Sequence, residues 1–525
     1  MIFDLMEQRW LPVERLDGSP DEVGLKTLLL QARAFRRLAA ETPTMTAALY
    51  RLVLALAHRV YEGPADADAW GALWREGFTA GPLESYLAVY GERFDLLDPQ
   101  RPFLQCAPLA SCPPSSAAKL VLDRASGNNV TLFDHTTSAD QITLEPGQAA
   151  RLLVTVHAYD PGGTKTPYRT VKSSTRGLAN YFGVVIVEGG TLHETLMLNM
   201  PIYNPRRGQP QPTSVQDRPA WESNAFPNPE PDRRSSQGWT DLLTWPSRRI
   251  LLLPRDSETG PVVGSVVIAP GTELRDELAE VELMSAFRRP PRKPRQKKWE
   301  EFRAVRLDER RGVWRHTETL LLAGDEQQRR RPRALDHIAD LVEDGIIGDD
   351  TVYTLRVLGQ RLGSQAAVIQ SWSEEAVAAP VALLRAQHEP AGPIIGHAVD
   401  LADQVAGALR DMESTYAAAM KVDRDSTVDL AYWSRLPGPF DKFLRALGEA
   451  RRQHRSEAAA IEAWAGDVRT LATATANRWV NGSPRTGRNL SEAGRVFGQF
   501  TGKLHHLINV FTAQAGQFIN TEALT

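Results

Sequence analysis

The chain is short of cysteine, of net charge and of long apolar runs, and each shortage removes a class of explanation. Cys106 and Cys112 are its two cysteines among 525 residues. Two thiols make no disulfide framework, which fits a reducing, cytoplasmic compartment. With no cysteine beyond Cys112, a thiolate-rich zinc site is excluded from most of the chain. Lys and Arg number 61 against 64 Asp and Glu, a formal net charge of −3. A uniformly basic nucleic-acid binder is thereby excluded, whereas a locally basic surface is not. No apolar run approaches the about 18 residues of a membrane span; Gly183–Val187 and Ile250–Leu253 are strand-sized. The opening Met-Ile-Phe-Asp-Leu-Met-Glu lacks the basic and apolar regions of a secretory signal. No phosphate loop, dinucleotide glycine motif, His-Glu-x-x-His or Gly-x-Ser-x-Gly occurs. These absences leave no motif that points to a catalytic residue, a cofactor or a metal, and no membrane partner is expected.

What is present divides the chain in two. Phe3, Leu5 and Trp10-Leu11-Pro12 read as an extended start, followed by helical spacing over 25–40 and 45–61 and two more helical stretches at 66–76 and 83–97. Asp98-Pro99-Gln100-Arg101-Pro102 ends that run. Residues 107–147 read as a long exposed loop with a short extended piece at Val130–Phe133, and 159–172 and 203–240 as further irregular segments. Strands are expected at 248–254, 261–268, 351–358 and 366–372, the last two joined by a turn at 359–363, and a helix at 334–346. From about 375 onward the pattern is helical. Ile394, Ala398, Leu401, Val405, Leu409, Met412 and Tyr416 recur at three- and four-residue steps, as do Ala460, Trp464, Val468 and Leu471. The last helix shows Leu490, Ala493, Phe497, Phe500, Leu504, Leu507 and Phe511. With an element around 426–450, four apolar-faced helices close most simply as an antiparallel bundle. The expected architecture is α+β: a large mixed α/β N-terminal domain over 1–378, then a C-terminal antiparallel four-helix bundle over 379–525.

Three segments carry candidate chemistry. In 127–137, Phe133 stands among small polar residues, a pattern suited either to stacking on a base or to plugging the core. In Asp160-Pro161-Gly162-Gly163-Thr164-Lys165, paired glycines let backbone approach a ligand, such as a minor groove roughly 6 Å wide, or form an ordinary turn. Arg288–Lys298 reads RRPPRKPRQKK, with seven basic residues and three prolines; it is a solvated loop or an arm that neutralises phosphate. Elsewhere, adjacent His505 and His506 point to different sides of a helix, one expected packed and one solvated. His193-Glu194 reads as a capping or core pair, and the two cysteines as inert.

These segments, in this order, resemble the CasA family of large subunits of the type I-E CRISPR surveillance complex, Cascade. The resemblance rests on Trp10-Leu11-Pro12, Asp98–Gln105, Leu132-Phe133-Asp134, Gly162-Gly163, Leu243–Arg249, Gln365-Ala366 and the helical C-terminal third. It implies a non-enzymatic subunit that finds the protospacer-adjacent motif (PAM) in double-stranded DNA from the minor groove. Such a subunit helps open the duplex for R-loop formation and gives the CRISPR nuclease-helicase a landing surface. The other implied partners are the 5′ handle of the guide RNA (crRNA) and the remaining Cascade subunits. The family's glycine loop falls on Pro161, Gly162 and Gly163, with Lys165 beside it. Its glutamine wedge falls on Gln365, flanked by Ser364 and Ala366, and its guide-proximal loop on Leu132, Phe133 and Asp134. This chain has Asp134 where the family leads one to expect asparagine, and 269–287 holds no lysine for the family's lysine finger; Arg292 and Lys293 are the nearby substitutes. Two other readings stay open: a hydrolase around His157, Asp160 and His193, and a purely architectural nucleic-acid scaffold.

Overall fold

A computed structural model describes residues 1–122, 142–258, 260–290, 300–305, 312–323, 328–363, 368–384, 391–424, 428–484 and 486–522. Helices and sheets are both present, in two compact units that interleave along the chain. The first is Met1–Leu307 with Pro332–His337 and Arg356–Glu374; the second is Asp308–Arg331, Ile338–Leu355 and Glu375–Thr525. Among the described residues no helix is long and apolar enough to cross a membrane, and no group of three or more His, Cys, Asp or Glu is placed to hold a metal.

In the first unit, Leu11–Arg15 forms the middle of a three-stranded antiparallel sheet between Pro20–Val23 and Phe35–Leu38. Leu11 and Val13 alternate inward, as a half-buried strand requires. Trp10 is fully buried and its indole N–H donates to Leu5 O at 2.9 Å. The sequence reading of 25–40 as one helix is corrected here: helix Leu25–Leu30 stops, a short 3-10 turn follows, and Phe35–Leu38 is a strand. Its two arginines between apolar ends fit one turn of helix and one strand equally well, and the pairing with Leu11–Arg15 decides.

Helix Pro43–Val60 starts with Pro43 in its first turn and the Thr42 hydroxyl accepting Met45 N–H at 3.2 Å, a favourable start for a helix. It packs on helix Pro146–Tyr159, which the sequence reading missed. The reason is physical. That helix is buried nearly all round, and its polar residues lie inside with partners: Arg151 reaches Trp10 O at 2.9 Å and Glu41 at 2.8 Å, and Thr155 bonds back to Arg151 O at 2.8 Å. A helix without a solvated face shows no amphipathic period.

Strands Arg248–Ser257 and Gly260–Pro270 form a long antiparallel hairpin with Ser115–Ser116 on its outer edge. Leu251, Val267 and Ala269 pack on Cys106, Leu109 and Cys112. Both cysteines are free and buried, and burial pushes the Cys106 thiol up to about 11, so they are core residues. A third sheet has the order Ile369–Pro380, Val352–Leu362, Val184–Glu188. The strand continues past 375 to Pro380, where a helical pattern was expected. Within the first unit Arg356 fastens it, reaching Glu188 at 3.4 Å and Glu374 at 2.6 Å. His193 is buried in helix Leu192–Leu198, while Glu194 caps it: Thr191 Oγ1 accepts Glu194 N–H at 3.2 Å and the Glu194 carboxylate accepts Gly190 N–H at 2.6 Å.

The second unit is dominated by helices Ala391–Met420, Pro437–Arg452, Ala458–Gly482 and Gly487–Glu522. The seam residues from Ile394 to Tyr416 are all buried, as are Trp464 and Val468. Trp464 donates to Ala398 O at 3.1 Å and stacks edge-on against Phe440 at 5.3 Å. The last helix packs on Ala391–Met420 and on Ala458–Gly482, and it buries Ala493, Val496, Phe500, Leu504, Ile508 and Phe511. Val496 and Ile508 take the places expected of Phe497 and Leu507, which lie half-buried at the flanks, and Leu490 is exposed. His505 and His506 are both exposed, His505 meeting Asn509 at 3.0 Å, so neither is packed.

Candidate nucleic-acid interface

The glycine segment is a small hairpin. Helix Pro146–Tyr159 ends, the chain turns at Asp160-Pro161, and Gly163–Thr164 pairs antiparallel with Ser173–Ser174. Lys165 N–H donates to Lys172 O at 2.8 Å, and Thr166 N–H ties the loop to Ile268 O at 3.0 Å. The two glycines answer different demands. A Cβ on Gly162 would stand 3.2 Å from Ser174 O, so close backbone approach selects glycine there. Gly163 has φ +121° with open space around it, so conformation selects it, and it is exposed. Pro161 is buried beneath.

Arg248, fully buried, staples the hairpin root. Its Nε donates to the Asp160 carboxylate, Nη1 to Ser247 O at 2.7 Å, and Nη2 to Asp160 O at 3.2 Å, Pro161 O at 3.2 Å and Thr175 O at 2.7 Å. Both ends of the loop, 160–161 and 175, are thus held by one guanidinium. Lys165 closes on the same carboxylate at 2.7 Å. Burial pulls its ammonium below the ordinary value, against the opposing pull of Asp160. Lys119 is near enough to add to that lowering, so Lys119 and Lys165 share one basic neighbourhood. Lys172 and Arg169 are exposed on the outer arm, Arg169 pairing with Glu230 at 3.1 Å.

The strand that leads toward Gln365 docks at this root. Gln360 Nε2 donates to Tyr159 O at 2.9 Å and to Asn180 Oδ1 at 2.7 Å, and Asn180 Nδ2 donates to Asp160 O at 3.2 Å. The chain runs on through exposed Arg361 to Gly363, whose N–H donates to Val368 O at 2.8 Å. Ser364, Gln365 and Ala366 themselves lie outside the described residues, as do Leu132, Phe133, Asp134, Arg292 and Lys293.

Sequence reasoning missed Arg248, Gln360 and Arg361. Arg248 stood inside the quoted Leu243–Arg249 segment, but a lone arginine carries no sign of burial. The groups proposed for a hydrolase do not converge. His157 Nε2 meets Leu104 O at 2.9 Å, Asp160 pairs with Arg248 and Lys165, and His193 meets Trp74 O at 3.3 Å beside Phe78. Among the described residues no hydrogen bond joins the three.

Comparison with known proteins agrees with this architecture. A family model described as CRISPR-associated protein Cse1 matches residues 4–475. A CRISPR-associated protein CasA/Cse1 of Thermus thermophilus is 30% identical over 94% of this chain and 98% of that protein. The Cse1 structure of Thermobifida fusca is similar at a TM-score of 0.81 and 28% identity, covering 97% of this chain and 98% of that one. A chain of a CRISPR RNA-guided surveillance complex shares the fold at a TM-score of 0.74 and 20% identity, covering 96% and 99%. With a Cse1 model matched along most of its length and a relative of the same extent at that identity, the chain belongs to the CRISPR-associated Cse1 (CasA) family.

Proposed function

We propose that this chain is the non-enzymatic large subunit of a type I-E CRISPR RNA-guided surveillance complex, acting in the cytoplasm in antiviral defence. In this reading it recognises the PAM in double-stranded DNA from the minor groove and helps open the duplex for the R-loop. The tip at Gly162-Gly163 enters the groove, Lys165 and the neighbouring cations face phosphate, and Gln365, flanked by Ser364 and Ala366, wedges the first base pairs apart. Leu132, Phe133 and Asp134 lie toward the guide RNA's 5′ handle, and Arg292 and Lys293 supply cationic contact to DNA. Residues 1–378 act as the recognition domain. Residues 379–525, with the four long helices closing as an antiparallel bundle, contact other Cascade subunits, and the subunit gives the nuclease-helicase its landing surface.

The observation that carries this reading is the bond from Gln360 to Tyr159 and Asn180. It roots the end of strand Val352–Leu362 on the same few residues as the exposed glycine hairpin, and Gln365 follows that strand in sequence. A minor-groove reader separates A·T from G·C and little else, so tolerance of several motif sequences is expected. Unstacking a base step costs a few kcal/mol, and guide–target exchange is otherwise near balance, by analogy with single-protein effectors.

The test is binding of the reconstituted complex to duplexes that differ only in the three base pairs beside the target. Gln365→Ala should weaken binding to the intact duplex roughly tenfold or more, while a target already opened at those positions binds as before. If Gln365→Ala leaves duplex opening unchanged, the wedge assignment fails.

A further inference from the structure

Two of the segments on which the family resemblance rests also meet at a second place, with Arg248 shared between it and the hairpin root. Asp98–Gln105 and Leu243–Arg249 converge on a cavity of about 390 Å³ in the first unit, which Arg101, Phe103, Phe226, His157, Arg248 and Arg249 help to line. From the chemistry of that wall we propose that the cavity is a pocket for one unstacked nucleobase, presented by a nucleotide or a single strand.

At the mouth, Phe226 is 55% exposed and Arg101 lies over its ring at 4.3 Å. An exposed phenyl face already paired with a guanidinium is a platform for a flat π-system. The Arg101 guanidinium gives one hydrogen bond, to Asn224 O at 3.0 Å, and Arg93 gives one long bond to Asn224 Oδ1 at 3.4 Å. These two cations sit loosely at the entrance, where a phosphate would follow the base. Deeper in, positive charge is already matched. Arg249 meets Asp232 at 3.1 Å, Arg234 holds Asp241 at 2.6 and 2.8 Å, and Arg248 holds Asp160. The interior therefore suits a neutral group rather than a second anion.

Phe103 and Trp221, stacked at 5.7 Å, add an aromatic wall. His157 is nine-tenths buried at this wall, with Nε2 on Leu104 O at 2.9 Å and Nδ1 closed off from the cavity, so recognition lies in stacking on a flat π-system.

The experiment uses the full-length chain and titrates AMP and ribose 5-phosphate near neutral pH by calorimetry. AMP should saturate a single site. Ribose 5-phosphate, which lacks the base, should bind about tenfold or more weakly, the scale of one stacking contact. Phe226→Ala and Arg101→Gln, both at the exposed rim, should each weaken AMP about tenfold without lowering thermal stability. No saturable AMP binding, equal affinity for the two probes, or AMP affinity unchanged in either variant overturns the proposal. These readouts use neither duplex DNA nor Gln365, so failure here leaves the minor-groove reading standing.

Discussion

Replacing Arg248 by methionine should lower the unfolding free energy by about 3–5 kcal/mol, the usual consequence of removing one partner of a buried ion pair. The side chain of Arg248 is 1% exposed and that of Asp160 5%. After the change Asp160 keeps Lys165 at 2.7 Å, but the carbonyls of Asp160, Pro161 and Thr175 lose their shared donor. Unmet buried acceptors cost about 1–3 kcal/mol each, and water entering the opened root would offset part of that. Urea unfolding of the two proteins gives the difference directly; a loss below about 1 kcal/mol, the level of a surface pair, would sink the staple assignment. A companion variant separates the ion pair from the carbonyl contacts. Arg248→Met with Asp160→Leu and Lys165→Met removes all three charges of the cluster, so it should recover part of the lost stability. The hairpin should stay loose in both variants, seen as faster protease cleavage within 163–173. The same looseness should weaken duplex binding even though Arg248 is buried at the root, because it sets where Gly163 stands.

The glycine hairpin was legible because paired glycines announce a backbone requirement, and the two glycines do meet distinct ones. The long hairpin of 248–270 was legible from its apolar runs, and the seam from Ile394 to Tyr416 from its spacing. What escaped notice shares one cause: polar side chains placed inside. Helix Pro146–Tyr159 buries Arg151, Thr155 and His157, which erases its period. The stretch 203–240 carries no period at all, yet it is held by buried carboxylates. Asp217 accepts from Thr240 N–H at 3.1 Å, Thr240 Oγ1 at 3.0 Å and Asp241 N–H at 2.9 Å, and Glu222 takes Arg59 at 2.8 Å and the Tyr86 hydroxyl at 2.8 Å. Hydrogen bonds between residues far apart in sequence leave no mark in a local pattern. Arg248 and Gln360 belong to the same class, which is why the candidate site's tip could be read and its foundation could not. In the last helix the direction of error was different. The stripe existed, but an almost unbroken run of four-residue steps from Val496 to Ile508 rotates the seam away from Phe497 and Leu507.

Acidification should unfold this protein well before its carboxylates are neutralised. His58, His157 and His337 are all buried in the first unit, and burial lowers them to about 3, about 4 and about 4 respectively. Neither ring nitrogen of His58 has a hydrogen-bond partner, and the ring packs at 5.0 Å against Tyr203, with His337 disfavouring its charge further. In the native chain all three stay neutral at pH values where the unfolded chain binds protons. Below the ordinary histidine pKa of about 6.5 the unfolded state therefore holds more protons, and stability falls as pH falls. The loss begins near pH 6.5 and continues until the native values are reached. At about pH 5 each histidine removes about 2 kcal/mol, roughly 6 kcal/mol for the three, which is comparable with the whole stability of many domains. Denaturant titrations at about pH 7.5 and about pH 5 measure it. His58→Leu should leave stability at neutral pH nearly unchanged, since it removes two unsatisfied atoms, and should shrink the acid-induced loss by about a third. Equal stability at the two pH values, or an acid loss that His58→Leu does not reduce, would mean that these rings find protons or water in the folded chain after all.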